Sequence, residues 1–309
     1  MSRLKNIKMI SKKIMVLILV SFSTAYSFCQ QSLDSLKVVQ QGAVLKQISN
    51  QFSFTEGPAV DKKGNIYFTD QPNDKIWKYD INGKLSLFMD KTGRSNGLYF
   101  DSKGRIISCA DNNNELWAIN TDGKTEVLLK NYEGKKFNGP NDLWIDGKGN
   151  IYFTDPYYQR DYWERKKPDL NGQYVYYLPK GKEAATIIDS TLKQPNGIVG
   201  TPDNKFLFVA DIGDNKTYRY EIDASGMLIN RQLFIQQGSD GITLDNEGNI
   251  YLTGIGVTIY SKEGKKIGNI PVPSKWVGNV CFGGKDHHTL LITASESVYT
   301  LQMKVKGVE

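Results

Sequence analysis

From residue 137 to residue 155 the chain reads FNGPNDLWIDGKGNIYFTD. A polar corner at Asn141-Asp142 leads into two short apolar runs, residues 143–145 and 151–153, on either side of the turn Asp146-Gly-Lys-Gly-Asn150. Apolar, aromatic and β-branched residues flanking a glycine-rich turn predict a β-hairpin. The pattern returns from Glu56 (EGPAVDKKGNIYFTD), Asn96 (NGLYFDSKGRIISCAD), Asn196 (NGIVGTPDNKFLFVAD), Asp240 (DGITLDNEGNIYLTG) and Gly278 (GNVCFGGKDHHTLLITA). The second runs end at Asp70, Asp111, Asp155, Asp211, Gly254 and Ala294, at intervals of 41, 44, 56, 43 and 40 residues. Repeats of this length with several strands apiece predict an all-β chain, a six-bladed β-propeller with four-stranded blades. A parallel β-helix would need shorter and more regular repeats.

Each unit carries two further alternating runs, as at residues 75–79 and 85–89 in the first. The last has only residues 297–302 before the chain ends. Its missing outer strand is predicted at residues 44–49, ahead of the first blade, where it would close the ring and remove an open sheet edge. Almost no helix is expected after the leader. The domain division is 1–30 signal peptide and cleavage region, 31–42 short linker, 43–306 propeller and 307–309 tail.

The leader rests on Arg3, Lys5, Lys8, Lys12 and Lys13 ahead of the apolar run at residues 14–20, followed by small and polar residues. That order is a secretory signal, too short to span a bilayer comfortably, with cleavage expected near Cys29 or Gln30. Lipid attachment at Cys29 is the lesser alternative, because Phe28 is bulky where such sites want a small residue. The expected location is periplasmic or secreted, with no membrane association after cleavage. Removing the leader takes five of the 39 basic residues and no acid, leaving 34 bases against 33 acids. This balance gives no electrostatic footprint for nucleic acid. Cys109 and Cys281 fall in units two and six, which do not adjoin, so both are expected as buried thiols rather than a bridge.

In a propeller the innermost strands line the central channel, so the opening residues Glu56, Asn96, Asn141, Asn196, Asp240 and Gly278 should converge on one axis. Taken singly, each Asn-Gly, Asp-Gly or Asn-Asp pair is a turn former. Together with Glu56 they place two carboxylates and several amides in one narrow space, which a hard cation would satisfy. Oxygen donors without His or Cys point to calcium first, with magnesium or manganese as alternatives. The strand-end Asp70, Asp111, Asp155 and Asp211 are expected to accept backbone N–H bonds at blade corners, with a supporting role behind the metal or a substrate contact as the lesser alternative for Asp155 and Asp211. Asp142 reads equally as a strand-start cap or as a partner behind the metal.

The motifs Glu56-Gly57-Pro58, Pro140-Asn141-Asp142, Pro195-Asn196-Gly197 and Ser239-Asp240-Gly241, with the closing stretch 279–306, resemble those of the gluconolactonase and regucalcin (senescence marker protein) family. The similarity covers residues 43–306. It implies a six-bladed propeller with one divalent cation, usually calcium, at the channel mouth. By this resemblance Glu56, Asn196 and Asp240 are metal ligands, and Asn141 completes the shell or holds substrate near it. Members hydrolyse sugar lactones, and relatives cleave phosphotriester-type substrates. One departure stands out: the animal branch has a basic residue two positions before the equivalent of Asn141, where this chain has Gly139.

The chemistry expected of these residues is metal-assisted attack of water on a lactone carbonyl, with Asp240 as proton acceptor or, alternatively, as nucleophile. His287 and His288, the only histidines, sit in a turn of the sixth unit on the far face, which argues against a histidine base. No GxSxG, HExxH or phosphate-binding glycine loop is present. The long segment 156–172 accounts for the 56-residue interval and holds Tyr157, Tyr158, Arg160, Tyr162, Trp163 and Arg165. This mix suits stacking on a sugar and pairing with a carboxylate, and Tyr157 and Arg160, nearest the strand end, are assigned to substrate with Asn96 and Asn141. The plain alternative is an aromatic-packed surface loop. Competing functions are a metal-dependent esterase or phosphotriesterase, and a non-catalytic propeller that binds a glycan or protein.

Overall fold

The structure, a computed structural model, describes residues 33–308; the leader expected at 1–30 lies outside them. The chain forms six four-stranded antiparallel sheets, the blades of a propeller. Their inner strands are Thr55–Val60, Ser95–Phe100, Leu143–Ile145, Pro195–Gly200, Ile242–Leu244 and Asn279–Gly283. Each inner strand packs beside those of the blades before and after it, and Thr55–Val60 also adjoins Asn279–Gly283. The sixth sheet is built from the last three strands of the chain plus Lys46–Ser49, which pairs antiparallel with Ser297–Gln302.

Local chemistry explains the hairpins. In the first, the Asp61 carboxylate accepts the N–H groups of Lys63 and Asn65 at 2.8 and 3.0 Å, and Gly64 turns the chain at φ +88°. The same aspartate grip recurs at Asp146 and Asp245. These turns fix the register, so alternate side chains enter the spaces between blades. There they form apolar clusters, such as Ile66 and Phe68 of blade one against Cys281 and Leu291 of blade six. Cys109 and Cys281 are both buried and belong to different clusters.

Residues 33–39, expected as part of a linker, instead pack Leu33, Leu36, Val38 and Val39 into the core shared by blades five and six. At the other end, Gly307 bridges Asp245 and Val308 packs against the cluster between blades three, four and five. Single 3-10 turns, Gln71–Asn73 and Ile212–Asp214, follow the second strands of blades one and four. They carry Gln71 and Ile212 to the rim of the channel.

Candidate active site at the channel mouth

Three of the opening residues sit at breaks in strand register. Pairing slips between Glu56 and Ala59, between Ser95 and Leu98, and between Pro195 and Ile198. An extra residue in one strand bends it and re-aims the side chain, here toward the axis. The glycine that follows each of these three, Gly57, Gly97 and Gly197, lets neighbouring inner strands come close. A Cβ on Gly57 would lie 2.1 Å from the Asn96 carbonyl, and one on Gly97 would lie 2.6 Å from the Asn141 carbonyl. Threonines near the ends of second strands then anchor the next blade. Thr69, Thr154 and Thr253 donate their hydroxyls to the carbonyls of Asn96, Asn196 and Gly278 at 3.1, 2.7 and 2.8 Å. Every second blade thus holds the opening residue of its successor by the backbone.

The result is a cavity of about 220 Å³ lined by Glu56, Asn96, Asn141 and Asp240, with Asn196 buried beside it. Burial holds Glu56 well above the usual carboxylate range, and nearby Asp240 pushes it further. Asp240 is pushed up to about 6, again by burial, against the pull of the Trp276 indole, the Asn196 amide and Arg160. Gly278, the sixth opening residue, has no side chain for good reason: a Cβ there would stand 2.8 Å from Glu56 Oε1. Beneath this layer the pattern of glycines is broken at Asp142 and Asn279. The Asn279 amide donates to Asp142 across the hub at 3.3 Å, and burial raises the Asp142 carboxyl to about 7.

Among the described residues no group of three or more His, Cys, Asp and Glu gathers as a metal site. The acids at the mouth are fewer, and the remaining oxygens come from amides. Two of those, Asn96 Oδ1 and Asn196 Oδ1, are buried without any hydrogen-bond partner. An orphaned acceptor costs about 1–3 kcal/mol, and adjacent buried carboxylates repel. A hard divalent cation relieves both costs, so these residues fit calcium chemistry.

The loop between Ile151–Asp155 and Tyr174–Leu178 covers one side of the mouth. Tyr158 lines the cavity, its hydroxyl accepting from Asn196 Nδ2 at 3.0 Å. Tyr157, assigned to substrate from its position in the sequence, is not among the lining residues; its hydroxyl binds Gln159 and its ring lies against Trp163. Of these two neighbours it is Tyr158 that faces the cavity. Arg160 does reach the cavity. Its Nε donates to Asp111 Oδ2 at 3.1 Å, joined there by the Tyr162 hydroxyl, while the Trp163 indole donates to the Asp111 carbonyl at 2.9 Å.

Asp111 therefore departs from the corner role expected of it. Asp70, Asp155 and Asp211 do accept backbone pairs, at Ser53 and Phe54, Asn138 and Gly139, and Lys193 and Gln194. Trp276, whose indole donates to Asp240 Oδ2 at 2.6 Å, was missed by sequence reasoning. Its one signal is its place two residues ahead of Gly278. A larger groove of about 760 Å³ between blades two and three, near Arg105 and Lys180, contains none of the converging residues.

Comparisons with known proteins agree with this geometry. A gluconolactonase of Zymomonas mobilis is 29% identical over 85% of this chain and 82% of its own length. The solved gluconolactonase of Xanthomonas campestris superposes with a TM-score of 0.81 at 25% identity, covering 86% of this chain and 91% of that one. The calcium-binding regucalcin of Agrobacterium tumefaciens, at 21% identity and a TM-score of 0.73 over 86% of this chain and 95% of its own, shares the fold. Residues 54–296 match the family described as SMP-30/Gluconolactonase/LRE-like region. With that match spanning all six inner strands and the channel mouth they build, the chain belongs to the SMP-30/gluconolactonase family.

Proposed function

We propose that the protein is an exported, calcium-dependent hydrolase of a sugar lactone. The observation that carries this reading is the meeting of Glu56 and Asp240 with two unpartnered amide oxygens beside Tyr158 and Arg160. Gluconolactonase relatives support the lactone as substrate class. Glu56, Asn141, Asn196 and Asp240 would hold the cation. A divalent cation bound there supplies Lewis-acid polarisation of the ester carbonyl and charge opposite the developing oxyanion.

The chain's own groups do the rest. Trp276 donates to Asp240 Oδ2 and helps orient the carboxylate, which would accept a proton from the attacking water. As the water oxygen bonds to the carbonyl carbon and the ring C–O bond breaks, that proton passes to the departing alkoxide, giving the open hydroxy acid. Tyr158 and Arg160 offer hydrogen bonds to sugar hydroxyls, and the loop that carries them limits access of bulk water. Export rests on the leader alone.

A pH-stat assay over a lactone panel, with calcium and with chelator, tests the proposal. Calcium-dependent acid release on a sugar lactone is expected. A panel without turnover in the calcium-bound protein would instead favour a binding propeller. Asp240→Asn at saturating calcium should lower kcat by about 10²–10⁴-fold, the usual contribution of a positioned base; full turnover would remove Asp240 from the chemistry.

A further inference from the structure

We propose that Asp111 sets the charge preference of the cavity: by holding Arg160 in an ion pair, it makes this a site for an uncharged lactone and disfavours one bearing its own carboxylate. The inference builds on the lactone-hydrolase reading and replaces the expectation that Arg160 pairs with a substrate carboxylate. Arg160 is the one cation among the residues lining the cavity. Its Nε lies 3.1 Å from Asp111 Oδ2, and Asp111 is only 1% exposed. Gln71 Nε2 donates to the same oxygen at 3.2 Å, and the Tyr162 hydroxyl joins it.

Among the described residues no basic side chain other than Arg160 makes a salt bridge to that carboxylate. Gly139, at φ +155°, faces it so closely that a Cβ would lie 2.6 Å from Asp111 Oδ1 and 3.0 Å from the Trp163 ring. The nearby guanidiniums of Arg94 and Arg165 lie over the rings of Tyr162 and Trp163, at 4.2 and 4.5 Å, and do not line the cavity. The other charged groups lining the cavity are the carboxylates Glu56 and Asp240, with Asp142 one layer down. A divalent cation offsets Glu56 and Asp240, and Arg160 offsets Asp111. No cation is left over for an acidic substrate, while the remaining guanidinium N–H groups still suit neutral hydroxyls.

The test compares D-glucono-1,5-lactone with the carboxylated D-glucaro-1,4-lactone by kcat/KM, and D-glucose with D-glucuronate by calorimetric binding to the calcium-loaded protein. Asp111→Asn should raise the preference for the charged member of each pair by about tenfold, the scale of one hydrogen bond to a charged group. The gain should vanish in the Asp111→Asn, Arg160→Gln double variant. An unchanged ratio in a folded, calcium-binding Asp111→Asn protein overturns the proposal. Arg160→Gln alone gives a reading even if Asp111→Asn does not fold. It leaves Asp111 uncompensated and should weaken D-glucuronate more than D-glucose, whereas equal losses overturn the idea. If wild type hydrolyses neither lactone, the lactonase reading fails, and the binding pair still decides the role of Asp111.

Discussion

Replacing Gly278 by Ala should separate the cation site from the fold. The glycine is not in the left-handed region, so alanine is acceptable to the backbone, and the effect comes from one methyl group. Its Cβ would lie 2.8 Å from Glu56 Oε1 and 3.0 Å from Glu56 Cδ. The backbone cannot slide away: the Gly278 N–H is bonded to the Thr293 carbonyl at 3.0 Å, and the Gly278 carbonyl accepts from Thr253 at 2.8 Å. Glu56 is the part free to yield, its side chain held among the described residues by the Gly57 N–H alone, at 3.0 Å. A few tenths of an ångström removes a carboxylate from a coordination sphere whose bonds are about 2.3–2.6 Å. Disturbing the support of a ligand costs about 10- to 100-fold in metal affinity, or about 1.4–2.7 kcal/mol. Calcium titration calorimetry reads this directly. Thermal unfolding gives a second measure, because wild type at calcium 100 times its Kd gains about 2.7 kcal/mol and a variant tenfold weaker gains about 1.4. The Cβ would also lie 3.0 Å from the Thr55 carbonyl, so the variant should melt somewhat lower in chelator, and the calcium-dependent gain is what separates the site from the fold. Wild-type calcium affinity in Gly278→Ala would refute the placement of Glu56 in the cation site.

Further outcomes follow from the same geometry. Thr154→Val removes the donor to the Asn196 carbonyl and the acceptor of the Asp142 N–H, so a loss of about 2 kcal/mol is expected in a urea titration, with weakened calcium binding. Glu56 and Asp240 have folded-state pKa values raised above their unfolded ones, Asp240 to about 6. Protons therefore stabilise the calcium-free fold at low pH, and that contribution is lost as pH rises through about 6. Calcium needs the ionised carboxylates, so its affinity should climb between pH 5 and about 7; a flat Kd over that range would contradict the buried pair. If the leader is cleaved on export, mass spectrometry of the secreted or periplasmic protein should find an N-terminus near Cys29 or Gln30, and an intact Met1 would refute it.

Much of the fold is legible because each hairpin states its own register. The Asp-x-x-Gly-Asn turns, the alternation around them and the recurring spacing make six similar units visible, and similar units around an axis place Glu56, Asn96, Asn141 and Asp240 together. What repetition cannot show is where it is broken across blades. Sequence alone gives Asp70, Asp111, Asp155 and Asp211 the same corner role and singles out Asp155 and Asp211, not Asp111, as lesser candidates for the site. Only in three dimensions does the loop within blade three lean over blade two, so that Arg160, Tyr162 and Trp163 all meet Asp111. Tyr158 rather than Tyr157 faces the cavity for the same reason, since an irregular loop has no period from which to read direction. Trp276 reaches Asp240 from the neighbouring blade, and the N-terminal segment finds its place on blades five and six. Local hydrogen bonds and apolar alternation are encoded by near neighbours and survive in one dimension; contacts between a loop and a distant strand depend on the closed packing of the blades.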